Sequence, residues 1–286
     1  MVTLPRVPQP VDPLARRLVE ALAPKGAAEL RRELAGPLAV SVAAGAIGLD
    51  GVPVEQLLSW YDRLVAAVGE VSLGAEVSDD ARTAYNALAG ELLRAANAPG
   101  AWLADATQNL TTEEATSNAA VFLFGGIETS EGMTTSALHH LLADADLLAT
   151  VRNDRTLVEA VVEESLRLEP AAVRVDRYAT VDTVLGGVDI KARDPVFISI
   201  AAANRDPEHF AEPDRFDVHR AQARTHLAFA HGAHLCIGAT LARLQTRAAM
   251  NAVLDLLPGV HLAGSVETRG TIFRKPVALH ASWQPG

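Results

Sequence analysis

Apolar residues recur at helical spacing through most of the first 170 positions of the chain. Leu14, Leu18 and Leu22 share one face of a predicted helix, which Pro24 ends. The same kind of pattern predicts further helices over residues 27–46, from residue 54 onward, and over 79–98, 111–143 and 156–168. This part of the chain is therefore predicted to be mostly helical.

The helix predicted over residues 111–143 is unusual in its length and in its glycines. Thr111 followed by Glu114 is a capping-box pattern that marks its start. Gly125 and Gly126 lie in its middle, and each glycine costs about 1 kcal/mol relative to alanine inside a helix. A glycine pair in a long apolar helix indicates either a local opening of the helix or the close approach of another group.

The hydrophobic pattern changes in the second half of the chain. Residues 174–200 contain β-rich runs, and the pair Gly186–Gly187 predicts a hairpin turn between two of them. A helix over residues 238–257 and a β-like stretch over 271–282 follow. The predicted fold class is mainly α with a small β component. We expect a single domain, mostly helical over about 1–170 and mixed α/β over about 171–286.

Composition and charge exclude several classes of protein. The 286 residues include 25 basic and 35 acidic ones, a formal net charge of −10, which disfavours a nucleic-acid partner. One cysteine excludes an internal disulfide framework and fits a reducing compartment. The longest stretch without Asp, Glu, Lys, Arg or His, residues 34–49, is shorter than the roughly 20 apolar residues of a membrane span, and the N-terminus does not resemble a signal peptide. We therefore expect a cytoplasmic protein with no membrane or nucleic-acid partner.

The single cysteine, Cys236, lies just before a predicted helix. The unpaired amides and the positive end of that helix favour a thiolate. The sequence leaves three interpretations of this cysteine. It is a buried structural residue, a zinc ligand together with His231 and His234, or the axial ligand of a haem iron. The zinc interpretation lacks a fourth ligand and a standard spacing.

Several separated motifs resemble those of the cytochrome P450 family. The haem-loop pattern of the family is matched by Phe229, Gly232, His234, Cys236 and Gly238. Glu164 and Arg167 match the Glu-x-x-Arg motif of the family, and Arg215 matches the further arginine of the same ion network. The oxygen-groove pattern is matched by Gly125, Gly126, Glu128 and Thr129. The motifs occur in family order. The chain is thus similar to a cytochrome P450-like fold that is N-terminally incomplete.

The resemblance implies haem b (iron protoporphyrin IX) as cofactor, with Cys236 as the axial ligand of the iron. Glu128 and Thr129 would relay protons on the opposite face, beside the Gly125–Gly126 pair. The haem propionates would contact His234 and Arg177. A second set of residues, Glu164, Arg167 and Arg215, would support the haem loop without taking part in the chemistry.

The implied reaction is insertion of one oxygen atom of O2 into a small organic substrate. Phe122 and Phe124, just before the oxygen groove, either contact that substrate or belong to the core. The residues themselves also allow plainer interpretations. Thr129 could merely bond back to a carbonyl one turn earlier, and Glu164 with Arg167 could be an ordinary exposed helix pair.

Residues 218–254 contain four arginines and no acidic residue, although the whole chain is acidic. We expect this basic segment, with Arg243 and Arg247 near the cysteine, to dock an acidic electron donor of the ferredoxin type. The alternative is that some of these arginines pair with acids elsewhere in the fold.

The resemblance begins after the first elements of the family fold, so we expect a haem that is more exposed than usual. A second hypothesis of function follows from this difference. The chain would then be a haem-poor, non-catalytic partner or activator of another biosynthetic enzyme.

Overall fold

The computed structural model describes residues 10–49, 51–72, 74–96 and 109–285, and most of these are helical. In chain order the α-helices are α1 (Val11–Leu22), α2 (Gly36–Ala46), α3 (Val54–Ser72), α4 (Asp79–Ala96), α5 (Thr112–Ala143), α6 (Ala145–Asn153), α7 (Leu157–Leu168), α8 (Ile200–Ala203) and α9 (Ala239–Leu256). The predicted helices are thus confirmed within a few residues at their ends, except for the start of the second one. The predicted mainly-α class with a small β component is also confirmed.

The strands are short and pair antiparallel. They are β1 (Ala27–Glu29), β2 (Arg174–Tyr178), β3 (Thr183–Leu185), β4 (Val188–Ile190), β5 (Pro195–Ser199), β6 (His261–Leu262), β7 (Thr268–Arg269), β8 (Lys275–Pro276) and β9 (His280–Ser282). Their pairings are β1–β9–β6, β2–β5, β3–β4 and β7–β8. Gly186 and Gly187 form the predicted hairpin turn between β3 and β4, both with positive φ.

The prediction of one continuous helix over residues 27–46 is wrong at its start. Gly26 has a φ of 71°, and the chain then enters β1, whose three residues pair with β9 at the other end of the sequence. A π-helical turn over Arg31–Ala35 leads into α2. The periodicity is compatible with a helix at Ala27–Glu29, but the long-range pairing with β9 overrides this local preference.

The long helix α5 lies at the centre of the fold and begins as predicted. The Thr111 hydroxyl accepts the Glu114 N–H at 3.2 Å, and the Glu114 carboxylate accepts the Thr111 N–H at 2.8 Å, which completes the capping box. One cluster of buried residues surrounds its C-terminal half, with α1, α7 and α9. A second cluster surrounds its N-terminal half, with α2, α3 and α4. The two apolar clusters therefore share α5.

Several large apolar side chains of the short strands are exposed. Four large side chains of the β2–β5 and β3–β4 pairs, between 60% and 73% exposed, form what we call the apolar strand face: Tyr178 and Phe197 on one side of β2–β5, and Leu185 and Val188, which are paired across β3–β4. The described helices include none that is long and apolar enough to cross a bilayer.

We expect Leu138→Ala to lower the free energy of unfolding by about 2–5 kcal/mol, because it leaves a cavity in the cluster around α5. Leu138 is fully buried on that helix. Urea denaturation of both proteins measures the difference. Val121→Ala on the exposed side of the same helix is the control and should change the free energy by less than about 0.5 kcal/mol. Equal losses in the two variants would contradict the assignment of the core.

Candidate functional site

A cavity of about 610 Å³ lies between α5 and the loop that precedes α9. The lining is mostly apolar, and none of the described residues that form it is an aspartate, glutamate, lysine or arginine. The cysteine loop, defined as residues 227–238, provides one wall, including Cys236. Gly125, Gly126 and Thr129 of α5 also line the cavity. The structure thus brings together two motifs that are separated by about a hundred residues in the sequence.

The cysteine loop is held in shape by its own backbone. The Cys236 N–H donates to the Phe229 carbonyl at 2.9 Å, and the Leu235 N–H donates to the Gly232 carbonyl at 3.1 Å. Gly232 has a φ of 75°, a conformation that glycine adopts without steric cost. Ala230 has a positive φ of 59°, which is uncommon for alanine. The loop delivers the sulfur to the cavity just before α9 begins at Ala239.

The protonation of Cys236 differs from the prediction. Burial of the thiol raises its pKa, and the N–H groups of Gly238 and Ala239 and the charge of Arg243 oppose that rise only in part. The predicted amides at the helix start are therefore present beside the sulfur. Loss of solvent around the thiol outweighs them, although the residue as a whole is exposed. A bound cation on the sulfur would reverse this balance.

The glycine pair of α5 resolves between its two predicted explanations. The helix continues through Gly125 and Gly126 without an opening. A Cβ at Gly126 would lie 3.3 Å from the Cβ of Ala43, so α2 approaches this turn closely. A Cβ at Gly125 would meet no atom within 4 Å, so this residue leaves open space along the cavity wall. The Thr129 hydroxyl donates to the Gly125 carbonyl at 2.5 Å, the plainer of its two interpretations.

Glu128 lies beside Thr129 in sequence, but it is not among the residues that line the cavity. Its carboxylate is buried, accepts a short hydrogen bond from the Tyr61 hydroxyl and pairs with Lys275 at 2.8 Å. Successive residues of an α-helix point about 100° apart, which explains why the two side chains face different ways. The structure thus does not place Glu128 on the cavity face as predicted.

The buried ion network around Glu164 contains a different arginine from the predicted one. Arg167 donates to both carboxylate oxygens of Glu164 at 2.8 Å, and both side chains are fully buried. Arg220 completes the network, with its Nε 3.0 Å from a Glu164 oxygen. Arg215 instead lies in a turn, where its exposed side chain pairs with Glu212 and only its carbonyl accepts from Arg167. The prediction of Arg215 as the third member is therefore wrong.

The predicted propionate ligands divide into one at the cavity and one outside it. His234, Phe229 and Gly238 all line the cavity. Arg177 does not. It is exposed, and its guanidinium donates to the Asp176 carbonyl at 2.8 Å. Because side chains alternate along a strand, Arg177 lies on the same face of β2 as Val175, which does line the cavity.

The two phenylalanines before the glycine pair also divide. Phe122 lines the cavity. Phe124 packs instead between the rings of Tyr61 and Phe273, at centroid distances of 6.2 and 5.7 Å. Only Phe122 is therefore placed to contact a molecule in the cavity.

The arginines of the basic segment pair with acidic residues of α7. Arg220 contacts Glu164, Arg243 contacts Glu163 at 2.6 Å, and both Arg224 and Arg247 contact Glu159. The pairing alternative is thus the one that the structure shows. A surface groove of about 370 Å³ is lined by two of these glutamates, their arginine partners and two further residues: Glu159, Val162, Glu163, Arg224, Thr240, Arg243 and Arg247.

Two polar residues at the site were not predicted. Asn204 is fully buried, and its side-chain oxygen accepts the Leu227 N–H at 2.7 Å, which holds the start of the cysteine loop. Gln245 is a buried residue of α9 that lines the cavity, and its side-chain oxygen has no partner among the described residues. An amide in a helical pattern looks like any surface residue in the sequence, so no signal singled out Gln245.

The residues at the cavity fit a flat, mostly apolar cofactor whose metal ion takes a sulfur ligand on one side. A thiol faces an uncharged cavity, the open wall at Gly125 leaves room, and the unpaired oxygen of Gln245 offers one acceptor. They do not fit zinc. In the described part of the chain, no three His, Cys, Asp or Glu side chains lie together so that they could hold a metal ion. His231, His234 and Cys236 all belong to that part of the chain. The structure therefore favours haem-thiolate ligation over the zinc interpretation.

Comparison with known proteins agrees with this geometry. The cytochrome P450 family model matches residues 101–257. The chain is 34% identical to the cytochrome P450 monooxygenase PikC of Streptomyces venezuelae over 270 residues, 90% of this chain and 62% of PikC. It is 33% identical to nocardicin C N-oxygenase of Nocardia uniformis, over 98% of this chain and 72% of the relative. The chain belongs to the cytochrome P450 family, whose cofactor is haem b.

Solved structures give the same assignment. CalO2 has a TM-score of 0.86 at 29% identity and covers 96% of this chain, which covers 72% of CalO2. P450BioI, in complex with an acyl carrier protein ligated to hexadec-9Z-enoic acid, has a TM-score of 0.85 at 28% identity, with coverages of 96% and 73%. The predicted cytochrome P450-like fold is confirmed. The chain spans about three fifths of the length of PikC and close to three quarters of these two structures.

We expect Arg220→Met to lower the free energy of unfolding by about 1.5–3 kcal/mol, because it removes a charge-assisted hydrogen bond to the buried Glu164 while Arg167 remains. Arg215→Met is the matched control. It removes an exposed pair and should cost less than about 1 kcal/mol. Thermal and urea denaturation of the two variants distinguish the network observed here from the predicted one. A larger loss for Arg215→Met would contradict it.

His140 of α5 couples this region to pH. Its Nδ1 lies 2.9 Å from the Ser165 hydroxyl, and its ring packs against Phe216 at 4.7 Å. Burial, followed by the nearby His139 and Arg205, lowers the pKa of His140 to about 3. The unfolded chain therefore takes up this proton at a higher pH than the folded chain does.

We expect stability to fall as pH decreases from about 6.5 toward 3, with a contribution from His140 of up to about 1.4 kcal/mol per pH unit. Above pH 6.5 both states are neutral at this residue, so its full contribution is present there. His140→Gln should flatten the slope of unfolding free energy against pH over this range. His219→Gln, at an exposed position, is the control. An unchanged slope in His140→Gln would contradict the prediction.

Proposed function

We propose that this chain acts as a haem-thiolate monooxygenase that inserts one oxygen atom of O2 into a small organic substrate. The observation that carries the proposal is the position of Cys236, the only cysteine, on the wall of a large uncharged cavity opposite the glycine pair of α5. Haem b, when bound, supplies the reductive activation of dioxygen. The mostly apolar lining supports this proposal because it is typical of cavities that bind small organic molecules.

The residues of the chain have distinct roles in this proposal. Cys236 binds the iron as a thiolate, and the N–H groups of Gly238 and Ala239 stabilise the charge on the sulfur. His234, at the cavity edge, pairs with a haem propionate, and Arg177 joins it by turning from its exposed position. Both roles follow from the matched motifs.

Thr129 is proposed to hold a water molecule on the α5 side of the cavity, and that water is proposed to supply the proton. Its hydroxyl is on the lining and gives its own proton to Gly125, so its lone pairs are free to accept from that water. Glu128 can take part as a proton donor only after its carboxylate leaves Lys275 and Tyr61. The structure supports the role of Thr129 more directly than that of Glu128.

The cavity favours an apolar substrate that makes few hydrogen bonds. Phe122, Val121 and Met133 contribute apolar surface, and Asn118 is one of the few polar side chains on the same wall. The relatives include a vitamin D3 dihydroxylase and a 6-deoxyerythronolide B hydroxylase, both named for the oxidation of organic molecules. We therefore propose a small, largely apolar organic substrate.

We propose a ferredoxin-type protein as the electron donor. The groove that contains Glu159 and Glu163 also contains Arg224, Arg243 and Arg247, so its basic residues outnumber its acidic ones. This excess supports docking of an acidic partner close to the cysteine loop, in a chain that is otherwise acidic. The ion pairs of the arginines reduce the excess charge but do not cancel it.

One observation favours the second hypothesis, a haem-poor partner of another enzyme. The apolar strand face is exposed, and Leu235 and Ile237 beside the cysteine are more than half exposed. Exposed apolar surface of this kind is typical of protein contacts. A purified protein that stays colourless after incubation with haem would support this hypothesis and contradict the monooxygenase.

We expect Cys236→Ser to abolish both the thiolate signature in the spectrum of the reduced carbon monoxide complex and substrate oxidation, because a neutral hydroxyl is a poor iron ligand. Ala233→Ser is the matched control, since it adds a hydroxyl to the same cavity wall and keeps the sulfur. It should retain the thiolate spectrum. Survival of the thiolate spectrum in Cys236→Ser would overturn the assignment of the ligand.

We expect Arg247→Glu to slow reduction by a ferredoxin several-fold at low ionic strength and to weaken the dependence of the rate on salt, because it reverses one charge of the groove. Stopped-flow reduction under carbon monoxide measures the rate. Arg269→Glu, an exposed arginine of β7 outside the groove, is the control. Identical rates and salt dependence in the two variants would locate the docking surface elsewhere.

A further inference from the structure

Glu163 is a buried acid that the matched motifs do not use. It lies next to Glu164 on α7 and is only 2% exposed. Its carboxylate binds two residues that flank the cysteine loop on either side. His226 Nε2 is 3.2 Å from one oxygen, and Arg243 donates through Nε at 2.6 Å and through a terminal nitrogen at 3.0 Å.

We infer that Glu163 is a positioning residue that clamps both flanks of the cysteine loop and fixes a positive charge, that of Arg243, near the sulfur. One carboxylate thus fastens residues 226 and 243 to α7, and Cys236 lies between them. This inference rests on the proposed function for its meaning in catalysis. The clamp itself is a property of the protein without cofactor.

The hydrogen bonds of His226 define its role in the clamp. Its Nδ1 accepts the Ala228 N–H at 3.2 Å, so in the neutral ring the proton is on Nε2 and is donated to Glu163. The ring is almost completely buried. His226 therefore joins the backbone at the beginning of the cysteine loop to the carboxylate on α7.

Arg243 connects the clamp to the sulfur. Its guanidinium lies over the Phe229 ring, 4.5 Å from the centroid, and the Phe229 carbonyl accepts the Cys236 N–H at 2.9 Å. The same positive charge favours the anionic form of Cys236. Glu163 neutralises part of this charge, so the strength of the field at the sulfur depends on the pair.

We expect substitutions of Glu163 and of Arg243 to have opposite electrostatic effects on reduction of the iron. Glu163→Gln removes a negative charge and leaves Arg243 uncompensated, which favours addition of an electron at the iron. Arg243→Gln removes the positive charge and leaves Glu163, which disfavours it. Coulomb interactions in a partly buried site are strong enough to change the ratio of reduced to oxidised iron several-fold. If the clamp had only a structural role, both substitutions would shift the reduction potential in the same direction.

Spectroelectrochemical titration of the haem-loaded protein tests this effect. We expect a higher reduction potential for Glu163→Gln and a lower one for Arg243→Gln. Arg243→Lys keeps the charge, so it should remain closer to the unchanged protein. Shifts of equal sign in the two glutamine variants, or no shift in either, would overturn the electrostatic part of the inference.

Amide hydrogen exchange of the protein without haem tests the clamp independently of cofactor binding. We expect both Glu163→Gln and Arg243→Gln to increase exchange severalfold in peptides that cover residues 227–238, where the Cys236 amide is protected by Phe229. Glu159→Gln is the matched control, because Glu159 lies on the same helix and pairs with Arg224 and Arg247 at the surface. It should leave these peptides unchanged.

The two measurements separate failure of the clamp from failure of the proposed function. Unchanged exchange in both glutamine variants would overturn the clamp, even in a protein that oxidises its substrate. Faster exchange in a chain that binds no haem would support the clamp and count against the monooxygenase. Faster exchange throughout the chain, with equal effects of Glu159→Gln, would show general destabilisation and would also overturn the clamp.

Discussion

The site depends on two adjacent buried carboxylates, Glu163 and Glu164, on one helix. Burial opposes the charge on Glu163, yet hydrogen bonds from His226 and Arg243 lower its pKa to about 2. Leaving such a charge without a partner costs several kcal/mol, so the chain must bring cations to this helix. Arg220 comes to Glu164 and Arg243 comes to Glu163, each from a different segment. The loop between these segments carries the cysteine, so its path follows from the need to satisfy α7.

Local signals in the sequence predicted the elements well. The capping box at Thr111 and Glu114 marked the start of α5, and Gly186–Gly187 marked the hairpin between β3 and β4. These features depend on residues close together in the chain. The strand Ala27–Glu29 was missed because its partner, β9, lies at the opposite end of the sequence. Pairing over that distance leaves no local pattern.

The candidate site was predictable in its residue types but not in its partners. Spacing placed Cys236 before a helix and Thr129 on the long helix, and both line the cavity. Spacing could not say which arginine reaches Glu164, because Arg215 and Arg220 share one short loop and only the tertiary path turns one inward. It also could not reveal that Lys275 of β8 holds Glu128 away from the cavity.

The apolar strand face gives this acidic chain an unusual response to ionic strength. The net charge of −10 keeps copies apart over a distance set by the Debye length, about 10 Å at 0.1 M salt. Added salt screens that repulsion, and strongly hydrated anions such as sulfate also strengthen attraction between apolar surfaces. Both changes favour contact through Tyr178, Leu185 and Phe197, whose side chains are exposed. Self-association of the chain is thus set by the balance between its net negative charge and these exposed apolar side chains.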